Sequence, residues 1–192
     1  MSKLSHPELQ GSAMQVEAFR SIINPDDKAF ANPPSMIGAI QQYCRETKQA
    51  VPETPAEICR CIFDSLALRY RQVFGWLKEF NSTAEPSSTG QGSSTGQSDI
   101  KVLHVIGGGS LNKYLTQFTA DACGVEVLAG PQECTAIGNM MLQAKASGDV
   151  SDIWAMRQII ANSVEMVPYH PAGDKAAWDK AYEKYLKITN QK

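Results

Sequence analysis

The residues best suited to chemistry are Gly107, Gly108, Gly109 and Ser110, which follow the β-branched, mostly apolar run Val102-Leu103-His104-Val105-Ile106. Three successive glycines remove every Cβ where a strand hands over to a helix, so a ligand can come close to the main chain. The N–H groups at the start of the following helix point outward, and its dipole favours an anion such as phosphate. The bland alternative is a tight turn that needs positive φ values and binds nothing. Two well-known phosphate loops are excluded. There is no GxxxxGK[ST], and a GxGxxG drawn from Gly107 through Gly109 meets Asn112 where its third glycine belongs. A ribose-binding acid about 20 residues on is also missing, because Glu126 lies inside a second strand.

Other constellations offer less. Asp26-Asp27 and Asp149/Asp152 are carboxylate pairs that turn and helix-cap roles explain without chemistry. His104 within its apolar strand reads as a packed, hydrogen-bonded side chain rather than a base. Trp154, Trp178, Tyr182 and Tyr185 recur at helical spacing and read as core. No Ser–His–Asp or Cys–His set can be assembled, so the segment shows a binding element and no catalytic group. No metal ligand set is expected either, since His6, His104 and His170 do not fall at ligand spacings beside the cysteines.

The elements that position the glycine loop are legible in part. Residues 1–31 carry few regular signals. Asn32-Pro33 reads as a cap and first helical residue for a helix over about 33–48, with Met36, Ile37, Ile40, Tyr43 and Cys44 at helical spacing. Thr54-Pro55-Ala56-Glu57 is a capping box opening a helix over 55–80. Its apolar stripe runs Ile58, Ile62, Leu66, Tyr70, Val73, Leu77, Phe80, widened by Cys59, Phe63 and Phe74. The two helices form a hairpin over 33–80. Next, Ser87-Ser88-Thr89-Gly90-Gln91 recurs as Ser93-Ser94-Thr95-Gly96-Gln97, and residues 82–98 read as a flexible insertion. From 100 to 190 the expected order is β-α-β-α-α-α. Its strands are 102–106 and 125–128, with helices led by Leu111 and Leu115, by a Thr135 cap, by Ser151, and over about 174–188. The fold class is α/β.

The composition sets the outer bounds. The chain has 192 residues, a formal net charge of −2, 14 glycines and 10 prolines, so collagen, a fully disordered chain and a strongly basic nucleic-acid binder are excluded. No stretch approaches the roughly 20 apolar residues that span a bilayer. MSKLSHPELQ holds no apolar run, so no signal peptide is expected and the expected compartment is cytoplasmic. Five cysteines, an odd count without CxxC, read as reduced thiols.

The stretch His104-Val105-Ile106-Gly107-Gly108-Gly109-Ser110-Leu111-Asn112, then Ala120-Asp121-Ala122-Cys123-Gly124 and Ala129-Gly130-Pro131-Gln132-Glu133, resembles the C-terminal domain of FGGY-type carbohydrate kinases. Within that family it is similar to the members acting on L-rhamnulose. Ile23-Asn24-Pro25-Asp26-Asp27, Tyr43-Cys44-Arg45-Glu46-Thr47 and Arg60-Cys61-Ile62-Phe63-Asp64-Ser65-Leu66-Ala67-Leu68 match further segments in the same order, across about residues 20–170.

The resemblance implies part of an actin-like ATPase (ribonuclease H-like) lobe, and transfer of the γ-phosphoryl of ATP, with Mg²⁺, to L-rhamnulose. It implies that Gly108 contacts ATP, with Gly107, Gly109, Ser110 and Asn112 in the same loop. It also implies a candidate disulfide between Cys44 and Cys61, which a reducing cytoplasm opposes. The family's first lobe, with its phosphate loop, most sugar contacts and general base, has no counterpart here. The expectation is therefore an incomplete C-terminal lobe over 1–192, inactive alone, with no catalytic residue. Its partner would be a missing N-terminal lobe or a second copy, and nucleic acid and membrane are not expected. The alternatives are another sugar kinase of the family, of xylulose or fuculose type, or a non-catalytic nucleotide-lobe binding module. A truncated sheet edge and exposed apolar helix faces would favour association.

Overall fold

The computed structural model describes residues 5–83 and 100–189. The helices are α1 (His6–Ala13), α2 (Met36–Glu46), α3 (Pro55–Thr83), α4 (Lys113–Cys123), α5 (Cys134–Ser147), α6 (Ile153–Ser163) and α7 (Lys175–Thr189). The strands are β1 (Val102–Val105), β2 (Glu126–Ala129) and β3 (Val167–Tyr169). The insertion expected over 82–98 lies, from residue 84 on, outside the described residues. Among the described residues no helix is long and apolar enough to cross a membrane.

Helix starts follow the local chemistry, with instructive shifts. The Thr54 hydroxyl accepts the Glu57 N–H at 3.2 Å, and the Glu57 carboxylate accepts the Thr54 and Glu53 N–H groups, each at 2.9 Å. Those N–H bonds hold the Glu57 carboxyl below its ordinary range. The capping box is realised. α2, by contrast, starts at Met36 with Ser35 accepting the Gly38 N–H at 3.1 Å, not at Asn32-Pro33. Pro34 drives the residue before it out of the helical region, so Pro33 cannot be a first helical residue. Glu133 rather than Thr135 precedes α5. Asp152 rather than Ser151 caps α6, accepting the Trp154 and Ala155 N–H groups at 2.8 and 2.9 Å. α1 escaped the sequence reading although Glu8 accepts the Ser5 N–H at 2.8 Å. Its eight residues show no apolar period; Ala13 alone is buried, against Cys59 and Phe63 of α3.

The main core gathers Ile40, Tyr43 and Cys44 of α2, Cys61 and Leu68 of α3, and Trp178 and Tyr185 of α7 around an irregular segment carrying Ile22 and Ile23. Main-chain groups buried in such a segment need partners, and side chains provide them here. Phe19 N–H donates to the Asp64 carboxylate at 2.7 Å, Ile22 N–H to Gln49 at 3.0 Å, and Ile23 N–H to the Ser65 hydroxyl at 2.9 Å. Phe19 itself has φ +59°, rare for a residue with a side chain. It is held by Asp64, by the Lys184 ammonium donating to its carbonyl at 3.0 Å, and by edge contact of its ring with Trp178 at 4.7 Å.

The sheet has the order β1-β2-β3, with β1 parallel to β2 and β3 antiparallel to β2. β3 was not foreseen: Val167-Pro168-Tyr169 is three residues long with a central proline, and carries no alternation. β2 is the central strand and buries Val127 and Ala129. β1 was read as buried but is an edge among the described residues, with no buried residue, and His104 is exposed rather than packed. The stripe on α3 divides in the same way. Ile58, Cys59, Phe63 and Phe74 are buried, whereas Tyr70, Leu77 and Phe80 are 40, 47 and 72% exposed. On α5 and α6 only Met156 is buried, and Trp154, read as core, is exposed with the Arg157 guanidinium over its ring.

Candidate functional site: the glycine loop

The chain does not pass from β1 straight into a helix. Gly107–Leu111 form a short 3₁₀ turn, and α4 begins only after Asn112. The Asn112 side chain accepts the Leu115 N–H at 3.1 Å, so the start of α4 is capped from within. The outward N–H groups expected after the glycines therefore belong to the turn rather than to the helix end. The first N–H groups of a 3₁₀ turn have no partner inside it.

Geometry sorts the five loop residues. Gly107 has φ +75° and donates its N–H to the Pro131 carbonyl at 3.0 Å. The Ser110 hydroxyl donates to the Gly107 carbonyl at 2.7 Å. With Asn112 capping α4, these three shape the loop. Gly108 and Gly109 remain: both are exposed, neither has a positive φ, and a Cβ on either would meet nothing within 4 Å. The turn requires glycine only at Gly107.

The Gly107–Pro131 bond sets this turn beside the segment Gly130-Pro131-Gln132, after the other parallel strand. Ligands of open α/β sheets bind outside the carboxyl ends of such strands. Gly130 has φ +118°, and a Cβ there would lie 3.1 Å from the Glu165 carbonyl, so this position too demands glycine. The sequence reading used Gly130-Pro131 as part of the motif Ala129-Gly130-Pro131-Gln132-Glu133 and did not place it beside the glycine loop.

The other candidates have structural tasks. Asp26 pairs with Arg69, and Asp27 accepts the Ala29 N–H at 3.0 Å. Asp149 accepts the Ser147 hydroxyl, and Asp152 caps α6. Asp121 accepts the Gln117 side chain at 2.9 Å and the Ala172 and Gly173 N–H groups at 2.8 and 3.0 Å, which fixes the approach to α7. Cys44 and Cys61 lie together as buried free thiols. Their shared hydrogen bond and burial push the Cys61 thiol up. Among the described residues no group of three His, Cys, Asp or Glu side chains forms a metal site.

Residues 3–147 match the model of the FGGY family of carbohydrate kinases, C-terminal domain. The chain belongs to that family. As an FGGY C-terminal domain it is part of the actin-like ATPase fold. A rhamnulokinase of Bacteroides thetaiotaomicron is 51% identical over 178 residues, covering 93% of this chain and 33% of that protein. Rhamnulokinases of Pectobacterium atrosepticum and Pectobacterium carotovorum are 44% and 43% identical over 163 residues, covering 85% of this chain and 30% of each. This FGGY domain thus spans about a third of the length of the curated relatives it matches.

The sorting of the loop has a measurable consequence. Gly107→Ala forces a side chain into the left-handed region and is expected to lower the unfolding free energy by about 1–2 kcal/mol. Gly108→Ala and Gly109→Ala should change it by less than about 0.5 kcal/mol, as exposed substitutions do. Urea unfolding of the three variants checks this; equal losses at all three would make the whole loop a structural turn.

Proposed function

We propose that this chain is the C-terminal part of a rhamnulokinase, which transfers the γ-phosphoryl of ATP to L-rhamnulose to give L-rhamnulose 1-phosphate. Its own share of that reaction is a wall of the nucleotide site. The supporting observation is the pair Gly108 and Gly109, glycines that the fold does not require, presented at the end of a parallel strand. Their main chain can approach the nucleotide without a Cβ intervening, with Gly107, Ser110 and Asn112 shaping the loop behind them. Phosphoryl transfer relies on positioning and on Mg²⁺ carried with the phosphates. With no three-ligand cluster among the described residues, no part in holding that ion is assigned to this chain.

The expected result follows from the division of labour. In a coupled ADP-release assay with L-rhamnulose and Mg-ATP, the 192-residue chain alone turns nothing over. Joined to the preceding two-thirds of the Bacteroides relative, it phosphorylates L-rhamnulose in preference to xylulose or fuculose. Clear turnover by the chain alone would overturn this reading, and preference for another sugar would move it elsewhere in the family. A non-catalytic binding module is the second reading, favoured by the outer edge of β1, unpaired among the described residues, and by the exposed apolar residues of α3.

A further inference from the structure

Gly75 stands in the interior of the 29-residue helix α3, where glycine is among the poorest helix formers. The packing does not ask for it. Its φ is not positive, and an added Cβ would meet nothing within 4 Å. Residue 75 instead lines a cleft of about 230 Å³ where α3 meets the end of α4 and the first turns of α7. The missing side chain leaves that wall open.

The cleft joins apolar surface to an excess of positive charge. Phe74 and Ala122 are its buried wall, and the ring of Tyr182 flanks them. Three cations, Arg71, Lys78 and Lys175, stand against two carboxylates, Asp121 and Asp179. Asp179 accepts the Arg71 guanidinium at 2.7 Å and the Lys175 ammonium at 2.6 Å. The Asp121 Oδ1 accepts the Gln117 side chain and the Ala172 and Gly173 N–H groups. Lys78 has no carboxylate partner among the described residues, and its ammonium lies 4.4 Å from the centre of the Phe74 ring. The Cys123 thiol, pushed up to about 12 by burial, adds no charge at neutral pH.

We propose that this cleft binds a small organic anion, with its acidic group on Lys78 and its apolar body against Phe74 and Tyr182, in the opening that Gly75 leaves. Hydrogen bonds between ions are roughly twice as strong as neutral ones, and aromatic walls supply contact area at fixed geometry. The site is distinct from the glycine loop. It involves the last residues of α4, whereas the loop precedes the first, and 11 helical residues separate the two by about 16 Å along the axis. The proposal therefore does not rest on the kinase reading above.

Titration of the 192-residue chain with phenyl phosphate, followed through the amide NMR signals of its glycines, tests this. The expected result is a saturable shift of Gly75 and Gly124 with a Kd of about 1 mM, the affinity a ligand this small can supply. Inorganic phosphate and phenol each lack one of the two anchors and should bind at least about tenfold more weakly. Lys78→Met should weaken phenyl phosphate by at least about tenfold. Gly75→Leu should abolish the Gly124 shift without lowering the midpoint of thermal unfolding, because leucine is the better helix former. Should Gly75→Leu fail to fold, Lys78→Met still decides, since Lys78 is exposed. No saturable shift of Gly75 and Gly124 up to about 10 mM would overturn the proposal. So would shifts confined to Gly107, Gly108 and Gly109, which would put the anion at the glycine loop, or a Kd that Lys78→Met leaves unchanged.

Discussion

Gly108→Asp, introduced into the chimera with the preceding two-thirds of the Bacteroides relative, is expected to raise the apparent KM for ATP by about a hundredfold. If the loop contacts ATP as proposed, a carboxylate there would clash with the nucleotide in both shape and charge. Like-charge juxtaposition in an interface costs several kcal/mol, and each ~1.4 kcal/mol is tenfold in affinity. The fold itself should not register the change, because Gly108 has no positive φ and a Cβ on it meets nothing within 4 Å. Thermal unfolding of the 192-residue chain carrying the same substitution provides that control. Gly108→Ala separates shape from charge and should cost far less. An unchanged KM in Gly108→Asp would mean that the exposed glycines face solvent and not the nucleotide.

Asp64→Ala is expected to destabilise the chain by about 3–5 kcal/mol, the cost of removing one member of a buried ion pair. Asp64 is 1% exposed and accepts the Arg60 Nε–H at 2.9 Å and the Phe19 N–H at 2.7 Å. Deleting the carboxylate leaves the Arg60 Nε–H and a main-chain N–H without their acceptor, with the guanidinium held only by the Val16 carbonyl at 3.1 Å, beside a residue already in the left-handed region. Burial pushes the Asp64 carboxyl up, against the pull of Arg60. Asp64→Asn keeps an acceptor for Phe19 and should lose about half as much. The midpoint of thermal unfolding reads the difference, with a fall of about 10 °C for Asp64→Ala in a chain this long. A fall of less than about 2 °C would show that segment 19–23 is held by its apolar contacts alone.

Helix existence was legible where a local cap opens onto an apolar period, and α1, which has the cap without the period, was missed. The capping box at Thr54-Pro55-Ala56-Glu57 and the helical spacing in α4 and α7 are each satisfied within a few residues of chain. The start of α2 was misplaced because Asn32-Pro33 is a valid signal that the adjacent Pro34 cancels. β3 was invisible because three residues with a proline acquire strand geometry only by lying against Val127, Leu128 and Ala129.

The candidate site was legible as residue types but not as roles. Glycines in succession mark a loop, and the sequence could not tell that Gly107 is needed for its φ while Gly108 and Gly109 are not. That distinction depends on backbone angles and on the empty space around each position. The second wall, Gly130-Pro131-Gln132, sits more than twenty residues further along, and only the parallel pairing of β1 with β2 brings it to the first. Asp121 belongs to a motif that carries the family resemblance, and its Oδ1 accepts the Ala172 and Gly173 N–H groups, about fifty residues away.

Burial shows the same limit most plainly. By itself the sequence determined most of the helices and the two parallel strands, that three glycines follow Ile106, and, through ordered motifs, the family to which the chain belongs. It marked Val102–Ile106 and the whole α3 stripe as apolar, and apolar they are. Only the tertiary structure decided that Val127 is covered and that His104, Tyr70, Leu77 and Phe80 are not. The reason is physical: apolarity is a property of a side chain, whereas burial requires a neighbour, and the neighbours available to β1 within the described residues lie on one side of it.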